Sequence, residues 1–585
     1  MLRWPWFLCG FLFLLTIAFG LAVFQSATAS DPPECPQPHV RLAVVVVFDQ
    51  FRGDYLERWE PLFAADGGFH RLKKDGAWFT DCHYPYATTV TGVGHATLST
   101  GVPPSQHGII DNEWYRYDNL SLVYCAASPE RHRVPTPNND SPKEKATGYG
   151  SPENLLALTI GEALKAAYEK DPVKPRVISL SLKDRSAVLL GGKNIDGAYW
   201  LDSATGTFVT SDFYRATVHP WVKEFNDEKL IDTWFGKDWL PLHPKVDSKY
   251  VFADSNGAGE GVKQGLSFPH PTTGGLDKPG PRYYDAVTCS PYGNELLLAL
   301  AKKAIDAEKL GTRATPDLLM LSFSSNDLIG HSWGPDSPEV LDVTLRTDLI
   351  VKELLDYLDK TVGKDKYTLV MSADHGICPL PEVTAARKKA DPFLPLPDAQ
   401  RLDGAKFVLA AESFLREKFA NADDKVVCIA RRTSNSCYLN RNWIQAAGLK
   451  QEAVEQALAN WAKKYPGILT AYTRTELLKN EPLPGDGIRQ KVQLSFQADR
   501  SGDVVFVLQP YWLVSSAAYR TGTTHGTPHD YDTHVPLLVY GPGVTAGVRT
   551  EQVTPLATVP ILAKALGIAP PDGVKAPVPP KLFGE

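Results

Sequence analysis

The chain has 585 residues, a formal net charge of −6, and 43% apolar and 22% charged side chains. That length exceeds one simple core and implies a large domain with insertions, or two to three domains. The mildly negative charge, with no basic cluster, excludes nucleic acid as the main partner.

Residues 1–29 read as a signal peptide. Arg3 precedes a long apolar run, and Ala27–Ala29 fits a small-residue cleavage site. The run is also long enough to serve as an uncleaved anchor. Either way the sequence predicts export, periplasmic or extracellular, and export permits disulfides. Cys35, Cys82, Cys125, Cys289, Cys378, Cys428 and Cys437 follow the leader. Their odd number leaves at least one free or paired between chains. Cys428 and Cys437 flank a turn-like segment and are the expected local pair.

Residues 42–48 form a continuous apolar run rich in β-branched residues, as in a buried parallel strand. Residues 54–65 read as the helix after it. Further short apolar strands are predicted at 177–181, 317–323, 367–372 and 535–540, with helices over 290–309, 338–362 and 554–568. This alternation predicts an α/β fold: a mostly parallel central sheet with helices on both faces, plus inserted α+β cap regions. The core divides into 40–196, 289–397 and 513–585, the last ending in a Pro-rich tail. A Gly/Pro-rich insertion over 197–288 and an α+β insertion over 398–512 separate these parts.

Three carboxylates fall just beyond predicted strands: Asp49, Asp327 and Asp374. Ligands of open α/β sheets bind at such strand ends. A lone Asp there is often only a helix cap; three, with histidines beside two, are harder to dismiss. His331 follows Asp327 by four residues, so one helical turn presents both to a single ion. His375 adjoins Asp374 at a strand-to-loop turn where Gly376 supplies flexibility. His525 lies in a Gly/Thr/Pro loop too polar for a core. His529 and His534 are its rivals, and His534 also suits an orienting role. Three Asp and three His suffice for two zinc ions, and two metals about 3.5–4 Å apart activate an attacking oxygen and stabilise a leaving one.

Thr91 opens "TGVGHATLST", a predicted helix. A nucleophile there gains from the dipole and free backbone N–H groups, which also suit a phosphoryl group. Thr88 and Thr89 are rival nucleophiles, and a plain N-cap threonine is the structural alternative. His95 reads as structural. Lys183 and Arg185 follow a strand two residues apart and, if extended, point to one side. Arginine forks two phosphoryl oxygens and lysine adds a point charge. Asn112 is a candidate amide donor to the same oxygens.

The order Asp, Thr, Asp-x-x-x-His, Asp-His, His resembles the alkaline phosphatase superfamily. "TGVGHATLSTGVPPSQHGIIDNEWY" resembles its nucleotide pyrophosphatase/phosphodiesterase branch. "SLKDRS", "DNEWY" and "YDTHVPLLVYGPG" look closest to the phosphate-irrepressible alkaline phosphatases, exported monoesterases that use threonine. The resemblance spans about 40–570. It implies one zinc on Asp327, His331 and His525 and another on Asp49, Asp374 and His375. It further implies that Thr91 meets the second zinc and carries a phosphothreonine, and that Asn112, Lys183 and Arg185 clamp the phosphoryl oxygens. The expected substrates are small phosphate esters, the expected state a monomer without a stable membrane partner if the leader is cleaved. A phosphodiesterase would share the metals and the threonine, but a diester has one fewer charged oxygen for the Lys/Arg pair. A sulfatase is excluded, because "CPLPE" at Cys378 lacks the arginine of a sulfatase nucleophile segment. An inactive binding protein is disfavoured, since every ligand type is present.

Overall fold

The computed structural model describes residues 40–135, 148–252, 257–391, 393–479, 485, 487–515 and 520–584. The expected leader and Cys35 lie outside these residues.

Ten strands form the main sheet: β1 (Leu42–Phe48), β2 (Ala77–Phe79), β3 (Arg133–Val134), β4 (Val177–Ser181), β5 (Gly197–Asp202), β6 (Thr207–Ser211), β7 (Asp317–Phe323), β8 (Tyr367–Ser372), β9 (Leu537–Tyr540) and β10 (Gly547–Arg549). Their order is β10-β2-β9-β8-β1-β7-β4-β5-β6-β3. The central run β8-β1-β7-β4-β5 is parallel. Antiparallel pairings at β8-β9, β9-β2, β5-β6 and β6-β3 finish its flanks. Every residue of β1, β4, β7 and β8 is buried. That is why these strands read as mostly apolar runs, unbroken in β1 and interrupted only by buried Ser, Thr or Asp in the others.

Two groups of helices cover the sheet. One holds α1 (Thr91–Thr100), α2 (Asp184–Gly191) and α6 (Thr558–Leu566). The other holds α3 (Pro291–Glu308), α4 (Ser325–Trp333) and α5 (Pro338–Thr361). Among the described residues no helix is long and apolar enough to cross a membrane.

The segment 398–512 builds a four-stranded antiparallel sheet from 429–432, 436–439, 504–508 and 468–473. Helices 404–419 and 451–462 pack on it around a separate apolar core. Three local expectations need correction. The insertion expected from 197 opens on β5 and β6 of the main sheet. Their backbones pair with β4 and β3, a constraint the Gly/Asp-rich composition conceals. The helix expected over 54–65 stops at Arg58, and Pro61 is accommodated in a 3₁₀ turn. Cys428 and Cys437 are both buried free thiols. The hairpin register sets Cys437 opposite Arg432, while the Cys428 carbonyl accepts from Asn440 N.

Candidate active site

The site lies beyond the carboxyl ends of the parallel strands. Asp49 directly follows β1, Asp374 lies two residues past β8, and Asp327 and His331 sit on α4 after β7. The i, i+4 spacing works as expected: His331 Nε2 lies 3.1 Å from Asp327 Oδ1. His525 Nε2 lies 3.7 Å from the same oxygen. His375 Nε2 is 3.3 Å from Asp374 Oδ2 and 3.6 Å from Asp49 Oδ1. Thus Asp327, His331 and His525 converge as one group, and Asp49, Asp374 and His375 meet beside it, with Asp327 also close enough to join Asp49 and His375, and His95 to join Asp49 and Asp374. The His375 and His525 rings stack at 3.5 Å between them.

Each of these three histidines is oriented through its other nitrogen. Nδ1–H of His331 donates to Thr523 O (2.7 Å), that of His375 to Gly376 O (2.9 Å) and that of His525 to Thr89 O (2.8 Å). A backbone acceptor on Nδ1 fixes the tautomer and presents Nε2 as a lone-pair donor, the usual support for a metal ligand. The rivals differ. His529 Nε2 donates to Leu508 O (2.9 Å) and His534 Nε2 to Thr80 O (2.8 Å).

The carboxylates also fit a cation. Asp49 Oδ1 and Asp374 Oδ2 are buried and accept no hydrogen bond among the described residues. Burial, then the Asp374 charge, pushes the Asp49 carboxyl well above its ordinary range, against the pull of Lys183. Burial acts the same way on Asp327, but His331 and Lys183 outweigh it and hold that carboxyl well below its ordinary range. Burial, reinforced by His375 and His331, keeps His525 neutral far below its ordinary range. Crowded carboxylates beside His375 and His525, both held towards their neutral form by burial, with oxygens left over, make an N/O donor set that suits hard or borderline divalent ions.

Thr91 is the first residue of α1, and its hydroxyl lies 3.4 Å from His375 Nε2. Val90 takes the cap position, and the Thr91 hydroxyl makes no capping bond. Thr89, by contrast, spends its hydroxyl on Thr527 O (2.9 Å). Asn112 Oδ1 accepts from Gly92 N (2.8 Å). That bond fixes the amide at the helix start, with its NH₂ as the remaining donor. Lys183 Nζ donates to Asp49 Oδ2 (2.7 Å) and Asp327 Oδ2 (2.5 Å). The two basic residues do not share an extended segment: Lys183 is extended at the start of α2, and Arg185 is within it. Both still line one cavity with Thr91, Asn112, His331 and His525. The buried Arg185 Nε has no partner among the described residues, and Nη1 lies 3.5 Å from Tyr124 Oη.

Residues 43–532 match the model of the type I phosphodiesterase / nucleotide pyrophosphatase family. The chain belongs to that family. It is 32% identical over 573 residues to alkaline phosphatase PhoV of Synechococcus elongatus, covering 96% of this chain and 97% of the relative. It is 31% identical over 540 residues to alkaline phosphatase PafA of Elizabethkingia meningoseptica, covering 92% and 93%. A crystal structure of PafA superposes with a TM-score of 0.83 at 29% identity, covering 94% of this chain and 99% of that one. With such relatives matched end to end, this member of the family is a phosphatase-type hydrolase.

One side chain escapes sequence reasoning. Gln50 donates from Nε2 to Asp327 Oδ1 (2.7 Å) and from its backbone to Asp374 Oδ1 (3.0 Å), tying the two ligand sets together. Its left-handed φ of 66° is the cost of turning both groups inward; only its place after Asp49 hinted at this. His95 contacts Asp374 Oδ2 at 3.2 Å, but donates Nδ1–H to Thr91 O (2.8 Å) and shares Nε2 with Ser322 Oγ (2.7 Å). With both nitrogens engaged, it braces the helix against the ligands. Gly376 serves by close approach rather than flexibility, since a Cβ there would lie 2.1 Å from Tyr531 O.

Proposed function

We propose that this protein hydrolyses phosphate monoesters through a phosphothreonine at Thr91, with two zinc ions as cofactors. Asp327, His331 and His525 would hold one ion; Asp49, Asp374 and His375 would hold the other. The observation that carries the reading is the position of Thr91, at a helix N-terminus, 3.4 Å from His375 and in one cavity with His331, His525, Asn112, Lys183 and Arg185. Bound zinc would lower the pKa of the nucleophile and neutralise charge on the phosphoryl group.

The remaining chemistry falls to the chain. Thr91 Oγ forms a bond to phosphorus as the bond to the ester oxygen breaks, and the alcohol departs with a proton. Water then attacks phosphorus, restoring the Thr91 hydroxyl and releasing inorganic phosphate. The backbone N–H groups at the start of α1 and the Asn112 amide point donors at the phosphoryl oxygens. Lys183 and Arg185 supply positive charge where a monoester dianion spreads it over three terminal oxygens. Two cationic side chains favour a monoester over a diester, whereas the family description names diesterases, so substrate charge is the decisive variable. The leader-like first 29 residues and the resemblance to exported phosphatases support a periplasmic or extracellular location.

Acid quench during monoester turnover, followed by peptide mapping, tests the nucleophile. The phosphoryl group is expected on Thr91. Thr91→Ala should abolish it, while Thr88→Ala and Thr89→Ala retain it. A phosphopeptide on another residue refutes the assignment.

A further inference from the structure

This inference rests on the monoesterase reading and concerns the part of the substrate that leaves. The cavity above Thr91 has a volume of about 1070 Å³. Pockets of about 300–1,000 Å³ hold whole drug-sized ligands, so a phosphoryl group fills only a fraction of it. The inserted α+β region walls one part of the rest, and residues 259–262, 285, 288–289 and 521–528 border the remainder.

The tip of the hairpin joining 429–432 to 436–439 forms one wall. Asn435 Nδ2 lies 3.5 Å from Thr88 Oγ1, three residues before the nucleophile. The other wall starts at His331. A Cβ on Gly522 would lie 2.3 Å from His331 O, and Gly522 O accepts from Arg401 Nη2 (2.8 Å). Arg401 is itself neutralised by a forked pair to Glu382 (2.6 and 2.9 Å).

Arg432 connects these walls. It sits on the hairpin, lines the cavity, and brings Nη1 to 3.7 Å from a Cβ built on Gly404, three residues after Arg401. Unlike Arg401, it pairs with no carboxylate among the described residues. The acids that line the cavity, Asp111, Glu260 and Asp285, belong to segments outside the 398–512 insertion. The inserted wall therefore offers one exposed guanidinium without a carboxylate partner among the described residues, a group whose planar fork matches an oxyanion.

We propose that Arg432 anchors a leaving-group subsite that favours phosphate monoesters whose alcohol carries a second oxyanion, a carboxylate or another phosphate. A monoester with a neutral alcohol meets the same phosphoryl clamp but gains nothing from Arg432.

The test measures kcat/KM of the zinc-loaded wild type, Arg432→Gln and Arg432→Lys on three substrates: phenyl phosphate, 4-(phosphonooxy)phenylacetate and 1,4-phenylene bisphosphate. Comparing each variant with wild type on the same substrate cancels differences in leaving-group reactivity. Arg432 is exposed, so Arg432→Gln should keep the wild-type melting temperature. The expected loss is about 5- to 30-fold on the carboxylate or the bisphosphate substrate, the range between an exposed ion pair and a charge-assisted hydrogen bond. It should appear in KM, shrink in high salt and be partly restored in Arg432→Lys. Phenyl phosphate should change less than about twofold. A larger loss on one charged substrate identifies which oxyanion the subsite prefers. Equal losses on all three substrates, or none, overturn the inference alone. A wild type that turns over none of them overturns the monoesterase reading and this inference with it.

Discussion

Gly94→Ala tests how tightly the nucleophile helix is coupled to the ligand sets. A Cβ on Gly94 would lie 2.2 Å from Asp374 O and 2.6 Å from Asp374 Cβ. Ordinary contact begins near 3.4 Å, so helix and ligand loop must separate by about 1 Å. In an exposed helix, alanine for glycine would stabilise by about 1 kcal/mol. Here overpacking costs about 1–3 kcal/mol and offsets that gain. The functional cost is larger. Thr91 lies three residues before Gly94, and Asp374 is on the opposing side of the contact. A displacement of about 1 Å between reacting groups lowers turnover about 100-fold. The assay is kcat on a monoester at saturating zinc, with bound zinc counted by atomic spectroscopy. The expected result is a loss of about 100-fold in kcat, with weakened metal retention and a folded circular-dichroism spectrum. Gly487→Ala is the control, because nothing lies within 4 Å of a Cβ there. Wild-type kcat and zinc content in Gly94→Ala would refute the coupling.

Chelation should remove activity, and zinc should restore it as the second ion per chain is regained; full activity with one metal or none contradicts the two-ion site. Lys183→Ala with Arg185→Ala should lower monoester kcat/KM about 30- to 1000-fold while affecting a diester much less, because charge-assisted contacts of about 2–4 kcal/mol are lost only where a dianion uses them. Equal losses on both esters would mean uniform binding. Acid stability should depend on His107, which is buried, accepts from Ile109 N at Nδ1 and shares Nε2 with Thr97 Oγ1. Burial, then Arg500, pushes its pKa down to about 3. The unfolded chain takes up this proton below about pH 6.5 and the folded chain refuses it. Its contribution is therefore complete above pH 6.5 and is lost as pH falls towards 3, by up to about 1.4 kcal/mol per unit. In urea titrations of chelated protein, His107→Gln should flatten that acid slope by one proton; an unchanged slope refutes the assignment.

The parallel core was legible because burial on both faces makes each strand a short, mostly apolar run. Residues 42–48, 177–181, 317–323 and 367–372 coincide with β1, β4, β7 and β8. The strand expected from 535 starts at Leu537, since Pro536 cannot donate to a ladder. Strands β5 and β6, which pair as a local hairpin, were hidden because their neighbours are loop-like and the pairings that hold the hairpin in the sheet, with β4 and β3, are non-local. Strand-end carboxylates and the i, i+4 pair were readable because local geometry alone brings them to one edge. The choice among His525, His529 and His534 was not, because it depends on which carbonyl each ring meets after folding. Gln50 was invisible for the same reason: its two partners are 277 and 324 residues away in sequence. Whether Lys183 and Arg185 share an extended segment was left open, because "SLKDRS" carries no signal of where α2 begins.

The most direct measurement is the ratio of kcat/KM for a phosphate monoester and a diester sharing one leaving group, on zinc-loaded wild type. The Thr91, Asn112, Lys183 and Arg185 arrangement predicts a clear preference for the monoester. It also predicts that Lys183→Ala with Arg185→Ala collapses this preference. A wild type that favours the diester would contradict the monoesterase account and leave the phosphodiesterase reading in its place.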